Sequence, residues 1–401
     1  MNYRYSTLHS TLPEFNVNKK RIIVRADCNV PLKNGKIEND FRLRALLPTL
    51  QFIAQRGGKI ILITHLGRPQ HQEPALSTQQ LVSWFEQQGF SVRFAATVQR
   101  AHELSNESNS SLVLLENVRF FPGETTHDNN FAQQLAQCGD FYINDAFATV
   151  HRDQSSLTLT PLFFPREKRS IGFLIEREIH ALNRLINSPE QPFLVLCGGG
   201  KIETKIPLIA SLLDQDATIA LLPATVFTFL KAEGHEVGAS LVETDQLSSV
   251  HALLAQTKYK NKFIFPADYL VAPTITDATW NLSFVPAAQF PKNYYGISIG
   301  PHTVNTLKKY IEQAQTIFFN AAVGFPQHPE TVEPINELLK AIGNSHAYSV
   351  IGGGDSVSFA VKAGVADQIG FLSTGGGATL AYVGKQPLPG LDPFLTQSDK
   401  S

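Results

Sequence analysis

Short apolar runs alternate with helical stretches from one end of the chain to the other, and this alternation restricts the possible folds more than any other feature. In the first half, strands are predicted at Arg21–Asp27, Lys59–Thr64, Ser91–Phe94, Leu112–Glu116 and Phe141–Asp145. In the second half, they are predicted at Phe193–Cys197, Ala217–Leu222, Phe263–Phe265, Gly296–Ile299, Thr316–Phe319, Ala347–Ile351 and Gln368–Leu372. Helical periodicity lies between them, for example at Phe41–Arg56, Ser77–Gln88, Asn129–Gln137 and Val304–Gln313. Strands separated by helices form parallel sheets covered by helices, so the chain is predicted to be an α/β protein.

The chain has 401 residues, which is longer than a domain with a single hydrophobic core usually is, so two domains are predicted. Each half has its own set of strands, so each is predicted to be a doubly wound parallel sheet. A helical pattern at Ile175–Leu185 indicates a stiff connector between the halves. The predicted division is a first domain at 1–172, a connecting helix at 173–188, a second domain at 189–384 and a tail at 385–401.

Charge and cysteine content exclude several classes of protein. A formal net charge of −1 argues against a general binder of nucleic acid or of membrane surfaces. The three cysteines, Cys28, Cys138 and Cys197, are far apart and odd in number, which favours a reducing compartment without a disulfide framework. No apolar run approaches transmembrane length, and the first residues lack the apolar core of a secretory signal. We therefore expect a cytoplasmic protein.

Basic side chains gather just after the predicted strands of the first half, where ligands bind in sheets of this class. They are Arg25, Arg42, His65, Arg68, Arg119, His151 and Arg152. Guanidinium groups bind carboxylates and phosphates through paired N–H bonds, and Asp27 and Asn29 add groups that can bind hydroxyls. The alternative is that each arginine is a surface residue in a loose ion pair. Because so many follow successive strands, the pattern favours a site for a phosphorylated carboxylic acid.

Glycine triplets follow three predicted strands of the second half, at 198–200, 352–354 and 375–377. A strand, a glycine turn and a helix start can hold a phosphate, because free N–H groups and the helix N-terminus face the anion. Lys201 and Lys205 lie one helical turn apart, and Asp355 is placed to meet Mg²⁺ on phosphates. Ordinary turn glycines and two solvated lysines are the alternative. The absence of GxGxxG counts against an NAD dehydrogenase, and Walker A is also absent.

An acid site in one half and a nucleotide site in the other predict phosphoryl transfer between the two ligands. Catalysis would consist of aligning donor and acceptor and spreading positive charge around the moving group. A general base is not required when the acceptor is already a carboxylate.

A series of motifs in this order resembles the phosphoglycerate kinase family across nearly the whole chain: RADCNVPL, DFRLRA, THLGRP, LLENVRFFPGE, INDAFATVHR, GFLIERE, LCGGGKIETK, IGGGDS and STGGGATL. The resemblance implies two Rossmann-like domains, with 173–188 as the hinge helix and the tail returning to the first domain. It implies reversible transfer between 1,3-bisphosphoglycerate and MgADP, giving 3-phosphoglycerate and MgATP, by a hinge-bending monomer of glycolysis. Mg²⁺ and ATP or ADP would be the cofactor and co-substrate, with no nucleic-acid or membrane partner.

The resemblance also implies roles for individual residues. The 3-phosphoglycerate site would be formed by Asp27, Asn29, Arg42, His65, Arg68, Arg119 and Arg152. The catalytic groups around the moving phosphoryl would be Arg42, Lys201, Gly353 and Gly354. The nucleotide would be bound by Lys201, Lys205, Asn320, Gly324, Gln327, Gly353, Gly354, Asp355 and Ser356, with Asp355 also binding Mg²⁺.

Departures from the family pattern are concentrated in the nucleotide half. Family members usually have GGGMA where this chain has 222–226, LPATV, and leucine and proline there would crowd a purine. Gln327 stands where family members usually have the glutamate that holds the ribose. Thr204 stands in place of the aspartate before the second lysine, and His302 in place of the lysine of the family's GPKT motif. An active kinase is the leading interpretation. A diverged member with weakened or altered nucleotide use, a kinase acting on another acid, and a non-catalytic protein that binds the acid or a protein partner are the alternatives.

Overall fold

The computed structural model describes residues 3–107, 110–259, 261–276 and 280–396. The chain divides into two compact units, residues 1–180 with 387–401 and residues 181–386. The division falls within one helix, Phe173–Ile186. The hinge role of 173–188 stays a prediction.

The first unit is built on a parallel sheet. The described strands of this unit are β1 (Arg21–Ala26), β2 (Leu32–Lys33), β3 (Lys36–Ile37), β4 (Lys59–Ile63), β5 (Val92–Ala95), β6 (Leu112–Leu115), β7 (Phe141–Asp145) and β8 (Arg169–Ile171). Strands β2 and β3 form a small antiparallel hairpin outside the parallel sheet. The sheet order is β5-β6-β4-β1-β7-β8, with every neighbouring pair parallel. The helices are α1 (Phe41–Gln55), α2 (Val82–Gln87), α3 (Val98–Asn106), α4 (Asn129–Ala136) and α5 (Phe173–Ile186). Strand β1 lies at the centre because its β-branched residues are buried on both faces.

The second unit repeats this plan. Its described strands are β9 (Phe193–Cys197), β10 (Thr218–Leu221), β11 (Phe263–Ile264), β12 (Asp268–Ala272), β13 (Ser283–Pro286), β14 (Tyr295–Ile299), β15 (Thr316–Asn320), β16 (Tyr348–Ile351) and β17 (Phe371–Leu372). The parallel sheet has the order β11-β10-β9-β15-β16-β17. The helices are α6 (Ile202–Leu213), α7 (Thr225–Ala232), α8 (Leu247–Leu254), α9 (Pro301–Gln313), α10 (Pro329–Gly343), α11 (Gly354–Lys362) and α12 (Gly377–Val383).

The predicted α/β class with two doubly wound parallel sheets is confirmed, with one correction in the second unit. Strand β14, predicted as part of the parallel sheet, pairs antiparallel with β12 in a separate sheet of order β13-β12-β14. The sequence did not predict β12 or β13. Strand β13 is largely exposed and so lacks an apolar pattern.

The tail of the described chain packs on the first unit. The amide N–H of Gly390 donates to the carbonyl of Val150 at 2.8 Å, and Asn144 Nδ2 donates to the Gly390 carbonyl at 2.9 Å. A Cβ on Gly390 would lie 2.9 Å from Val150 Cα, so only glycine fits this approach. The ring of Phe394 stacks on Tyr142 of β7 with centroids 6.3 Å apart. The tail therefore supports the backbone just before His151 and Arg152.

The start of α5 is held by a buried carboxylate at the end of β7. Asp145 Oδ1 accepts the N–H of Ile175 at 3.1 Å, whereas Oδ2 has no hydrogen-bond partner in the described structure. A Cβ on Gly172 would lie 2.3 Å from Asp145 Cγ, so a glycine is required there. Burial raises the pKa of Asp145 to about 7, against the opposing hydrogen bonds from Thr49 and the first amides of α5.

Asp145→Asn is expected to change how stability depends on pH. The folded pKa lies above that of an unfolded aspartate, about 3.9, so the stabilising contribution of the carboxyl is fully present below about pH 4. It is lost as the pH rises through about 7, because the folded chain must then hold a buried charge. Asparagine keeps an acceptor without that charge, so the variant should gain on the order of 4 kcal/mol relative to the unmodified chain between pH 4 and 8.

Urea unfolding of both proteins across this pH range measures the difference. Asp140→Asn is the matched control, because the effect of this substitution on the free energy of unfolding should change with pH in the opposite direction. Burial alone would raise the pKa of Asp140, but its hydrogen bonds from Arg21 lower it. Parallel stability profiles for the unmodified chain and Asp145→Asn would contradict the prediction.

Candidate functional site

The end of β1 and the start of α1 bring an arginine onto a carboxylate. Arg42 Nη1 lies 3.0 Å from Asp27 Oδ2 and donates to the carbonyl of Asn29 at 3.1 Å. Asn29 Oδ1 accepts the N–H of Gly67 at 2.8 Å, which ties the loop after β1 to the loop after β4. Asp27 and Asn29 are thereby fixed beside Arg42 by backbone contacts as well as by charge.

His65 follows β4 and is buried among cations. Its Nδ1 lies 3.8 Å from Asp27 Oδ1 and has no hydrogen-bond partner in the part of the chain described. Burial first, and then the charges of Arg25, Arg119, Arg42 and Arg152, lower the pKa of His65 well below its ordinary value. The imidazole is therefore neutral at neutral pH and offers a hydrogen bond rather than a charge.

The remaining arginines of the predicted acid site perturb one another. Burial, Arg25 and Arg152 lower the pKa of Arg119 to about 10, and Arg119 donates to the carbonyl of Gly67. Burial and then Arg68 lower the pKa of Arg152, whose buried Nε has no partner among the described residues. Arg152 therefore lies within electrostatic range of both Arg68 and Arg119.

We call this group the cationic cluster: Asp27, Asn29, Arg42, His65, Arg68, Arg119 and Arg152. It contains four guanidinium groups and a single carboxylate. Next to it, burial and the charges of Arg152, Arg68 and Arg119 lower the pKa of His151 to about 4, and its buried Nδ1 also lacks a partner within the described chain. An anionic ligand would accept a hydrogen bond from the unpaired Arg152 Nε and would compensate the excess of positive charge.

Arg25 corrects one expectation from the sequence. The sequence places it with the ligand-facing cations, but in the structure it is fully buried inside the first unit. Its Nε donates to Ser156 Oγ at 2.8 Å, and its Nη2 lies 3.7 Å from Glu124 Oε1. The sequence could not show this, because Glu124 and Ser156 are far away along the chain. From its buried position, Arg25 adds positive electrostatic potential at His65 and Arg119.

In the second unit, the predicted phosphate cradle lies at the start of α11. Gly353 has φ of 102°, and a Cβ there would lie 2.7 Å from Asn320 Nδ2. Asn320 Nδ2 donates to the Gly352 carbonyl at 2.7 Å, and Lys205 Nζ donates to Asn320 Oδ1 at 2.8 Å. Ser356 Oγ donates to the carbonyl of Ala321 at 3.1 Å. Lys205, Asn320 and the turn at 352–356 therefore form one group.

Asp355 is exposed in the first turn of α11, directly after Gly354. A carboxylate beside a phosphate-binding turn fits Mg²⁺, which takes oxygen ligands and often binds through one or two carboxylates and substrate phosphates. Among the described residues, no group of three or more His, Cys, Asp or Glu side chains could hold a metal without such help. In the same described part, no helix is long and apolar enough to cross a membrane.

Lys201 and the start of α6 correct a second expectation. Helix α6 begins at Ile202, and Lys201 lies just outside it in the left-handed conformation, with φ of 66° and ψ of 63°. Its N–H and that of Ile202 do not face an open space for phosphate. They donate to the carboxylate of Glu243, at 2.7 Å from Lys201 and at 3.0 and 3.1 Å from Ile202. Glu243 lies 42 residues after Lys201, and its part in this turn could not be predicted from the sequence.

The turn after β10 is packed closely against the glycines that follow β9. Leu222 is fully buried, and a Cβ on Gly198 would lie 2.8 Å from its Cβ. The N–H of Gly199 donates to the carbonyl of Pro223 at 2.9 Å. Ala224 has φ of 65° and ψ of −62°, a backbone region that residues with a Cβ rarely occupy. Ala224 therefore occupies a backbone conformation that is usual for glycine, although it carries a Cβ.

Gln327 and Gly324 lie beside an aromatic group that the sequence did not reveal. Trp280 stacks on His328 with ring centroids 4.0 Å apart, and Phe325 meets the same indole edge-on at 4.8 Å. Gly324 has φ of 81° and packs against the backbone of Thr331, and Gln327 is exposed. The ribose role of Gln327 stays a prediction.

Ala224→Gly is expected to raise the free energy of unfolding by about 1 kcal/mol. A residue with a Cβ at positive φ costs about 1–2 kcal/mol, and the greater unfolded-state entropy of glycine offsets about 0.4–1 kcal/mol of the relief. Calorimetry should show a melting temperature about 2–4 °C higher. Ala232→Gly, at the end of the regular helix α7, is the control and should lose stability. Equal losses in both variants would rule out strain at Ala224.

Comparison with known proteins agrees with the geometry. A family model described as phosphoglycerate kinase matches residues 12–385. The phosphoglycerate kinase of Rubrobacter xylanophilus is 38% identical over 376 residues, covering 93% of this chain and 94% of that protein. The cytosolic phosphoglycerate kinase of Triticum aestivum is 36% identical over 390 residues, covering 95% of this chain and 96% of that protein. The structure of phosphoglycerate kinase from Coxiella burnetii superposes with a TM-score of 0.81 at 29% identity, covering 96% and 98% of the two chains.

Proposed function

Because the chain belongs to the phosphoglycerate kinase family, we propose that it catalyses reversible phosphoryl transfer between 1,3-bisphosphoglycerate and MgADP, giving 3-phosphoglycerate and MgATP. The observation that carries the proposal is the cationic cluster. Four arginines around one carboxylate, with the buried Nε of Arg152 unpaired among the described residues, favour a small ligand with several negative charges. A phosphorylated carboxylic acid satisfies both the charge and the hydrogen-bond donors.

In the first unit, different residues of the cationic cluster would bind different groups of the acid. Arg68, Arg119 and Arg152, with neutral His65, would hold the phosphate that is not transferred. Asp27 and Asn29 would bind the hydroxyl and keep Arg42 in place through the contacts described above. Arg42 would then place its guanidinium against the carboxylate that receives the phosphoryl group. The acceptor is already ionised, so no side chain has to remove a proton.

In the second unit, the group around Lys205 and Asn320 would bind nucleotide phosphates. The Lys205 ammonium is nearly buried and accompanied by an amide rather than a carboxylate, which leaves its charge available to an anion. The start of α11 adds the positive end of a helix at Gly353 and Gly354. Asp355 would hold Mg²⁺, which supplies positive charge to the phosphates when bound. Lys201 would stabilise the phosphoryl group as it moves.

A kinase that uses a different phosphate donor is the second candidate. The close packing of Leu222 and Pro223 against the glycines after β9 favours it, because a purine has less room beside this turn. A coupled assay with 3-phosphoglycerate and MgATP, repeated with MgGTP, separates the candidates. Turnover with MgATP supports the proposal, and turnover with MgGTP alone supports the second candidate. Calorimetric binding of 3-phosphoglycerate without turnover by either nucleotide would indicate a non-catalytic protein.

We also propose a cytoplasmic monomer that works in glycolysis. The three cysteines are buried free thiols, which supports a reducing compartment. The net charge of −1 gives no general attraction for nucleic acid.

A further inference from the structure

We propose that Glu243 is a positioning residue for Lys201, holding its backbone in the left-handed conformation from which its ammonium can serve phosphoryl transfer. The inference rests on the proposed function, since it adds a residue to that same site. It concerns the second unit alone and depends on contacts that span separate elements of that unit.

The turn at Lys201 is held by a carboxylate and not by its own sequence. A residue with a Cβ is disfavoured at φ of 66°, and no side chain next to Lys201 caps α6. Glu243 instead accepts the two N–H groups on either side of the strained residue, at 2.7 Å from Lys201 and 3.0 Å from Ile202. On the other side, Thr204 donates to the Lys201 carbonyl at 2.9 Å. The peptide groups before and after Lys201 are therefore both fixed.

Glu243 is itself anchored to the body of the unit. Its N–H donates to Thr228 Oγ1 at 3.1 Å, and Thr228 is buried on α7. The same helix begins at Thr225, which donates to the carbonyl of Gly199 at 2.5 Å. Helix α7 thus fixes the glycine turn at Gly199 directly and at Lys201 through Glu243.

The carboxylate also decides what this turn can offer a ligand. It satisfies the N–H groups of Lys201 and of Ile202, the first residue of α6, and places a negative charge at the positive end of that helix. Phosphate is therefore directed to the start of α11, and the Lys201 side chain, which is exposed, becomes the cation that the turn contributes. A lysine free to swing would lose part of its effect, because charge stabilisation depends on groups that are already in position.

The test is a set of variants assayed with 3-phosphoglycerate and MgATP. Glu243→Ala should lower kcat by about 10²-fold, since a small misplacement of a catalytic group costs on this order. Both KM values should stay within about twofold, because Glu243 is not among the residues proposed to hold either ligand, and its carboxylate is occupied by the N–H groups of Lys201 and Ile202. Glu243→Gln keeps an acceptor oxygen at the same reach and should restore most of the rate. Asp245→Ala removes an exposed carboxylate from the same segment and should leave kcat unchanged.

A double-mutant cycle with Lys201→Ala separates this inference from the proposed function. If Glu243 acts through Lys201, Glu243→Ala should have no further effect on kcat in the Lys201→Ala background. Two independent losses that multiply would overturn the positioning role while leaving the function intact. A lower melting temperature for Glu243→Ala with unchanged kcat would overturn it as well, by making the contact purely structural. No turnover by the unmodified chain with any nucleotide would instead reject the proposed function.

Discussion

Arg42→Ala is expected to lower kcat by about 10²–10³-fold while changing the melting temperature little. The guanidinium is the one in the cationic cluster that pairs directly with Asp27, and its side chain remains partly exposed. Removing one group that is already in position to stabilise charge in the transition state costs a factor of this order. Asp27 keeps its hydrogen bond from the Asn29 N–H at 3.0 Å, so the loop should hold its shape. Steady-state kinetics with 3-phosphoglycerate and MgATP, together with calorimetry, measures both effects.

Arg44→Ala is the matched control for Arg42. It lies on the same helix, is largely exposed, and pairs with Asp40 one turn away at 2.9 Å. Exposed pairs of this kind contribute about 0–1 kcal/mol, so kcat should not change. If Arg42→Ala instead unfolds at a much lower temperature and the folded fraction keeps its rate, the residue is structural.

Lys201→Ala is expected to raise the barrier to transfer by about 2.7–4 kcal/mol, the cost of one preorganised charge-stabilising group. The strained backbone and the bond from Ile202 to Glu243 remain in this variant, so the loss should reflect the missing ammonium. Because the side chain is exposed, its removal opens no cavity, and the melting temperature should change by only a few degrees.

Lys231→Ala, which removes an exposed lysine in the last turn of α7, is the control for Lys201. It should leave kcat unchanged. A rate for Lys201→Ala equal to that of the unmodified chain would remove Lys201 from the mechanism, although the cationic cluster could still bind the acid.

The parts of the fold that could be predicted are those whose signal is local. Strands β1 and β9 are short β-branched or apolar runs buried on both faces, and their sequence alone indicates a central parallel strand. Ligands bind at the carboxyl ends of such strands, so the basic residues that follow them in the sequence could be predicted as members of the cationic cluster. Strand β13 was not predicted because it is short and largely exposed, whereas β12 is a buried apolar run that the same pattern should have indicated.

The parts of the site that could not be predicted depend on partners distant in sequence. Arg25 looks like any strand-end arginine until Glu124 and Ser156 are brought to it by the fold. The start of α6 looks like an open anion site until Glu243 fills it. In each case, a charge in the sequence defines a possible partner, and only the tertiary structure decides whether that partner is a ligand or another side chain.

The contact between Gly390 and Val150 has a consequence for biosynthesis. The strand and loop that precede Arg152 are synthesised before the second unit, but the segment at 387–396 that packs on them is synthesised after it. The second unit, in contrast, is encoded without interruption by 181–386. The second unit can therefore form from one continuous stretch, whereas the first unit cannot be completed until the segment that follows the second unit has been synthesised.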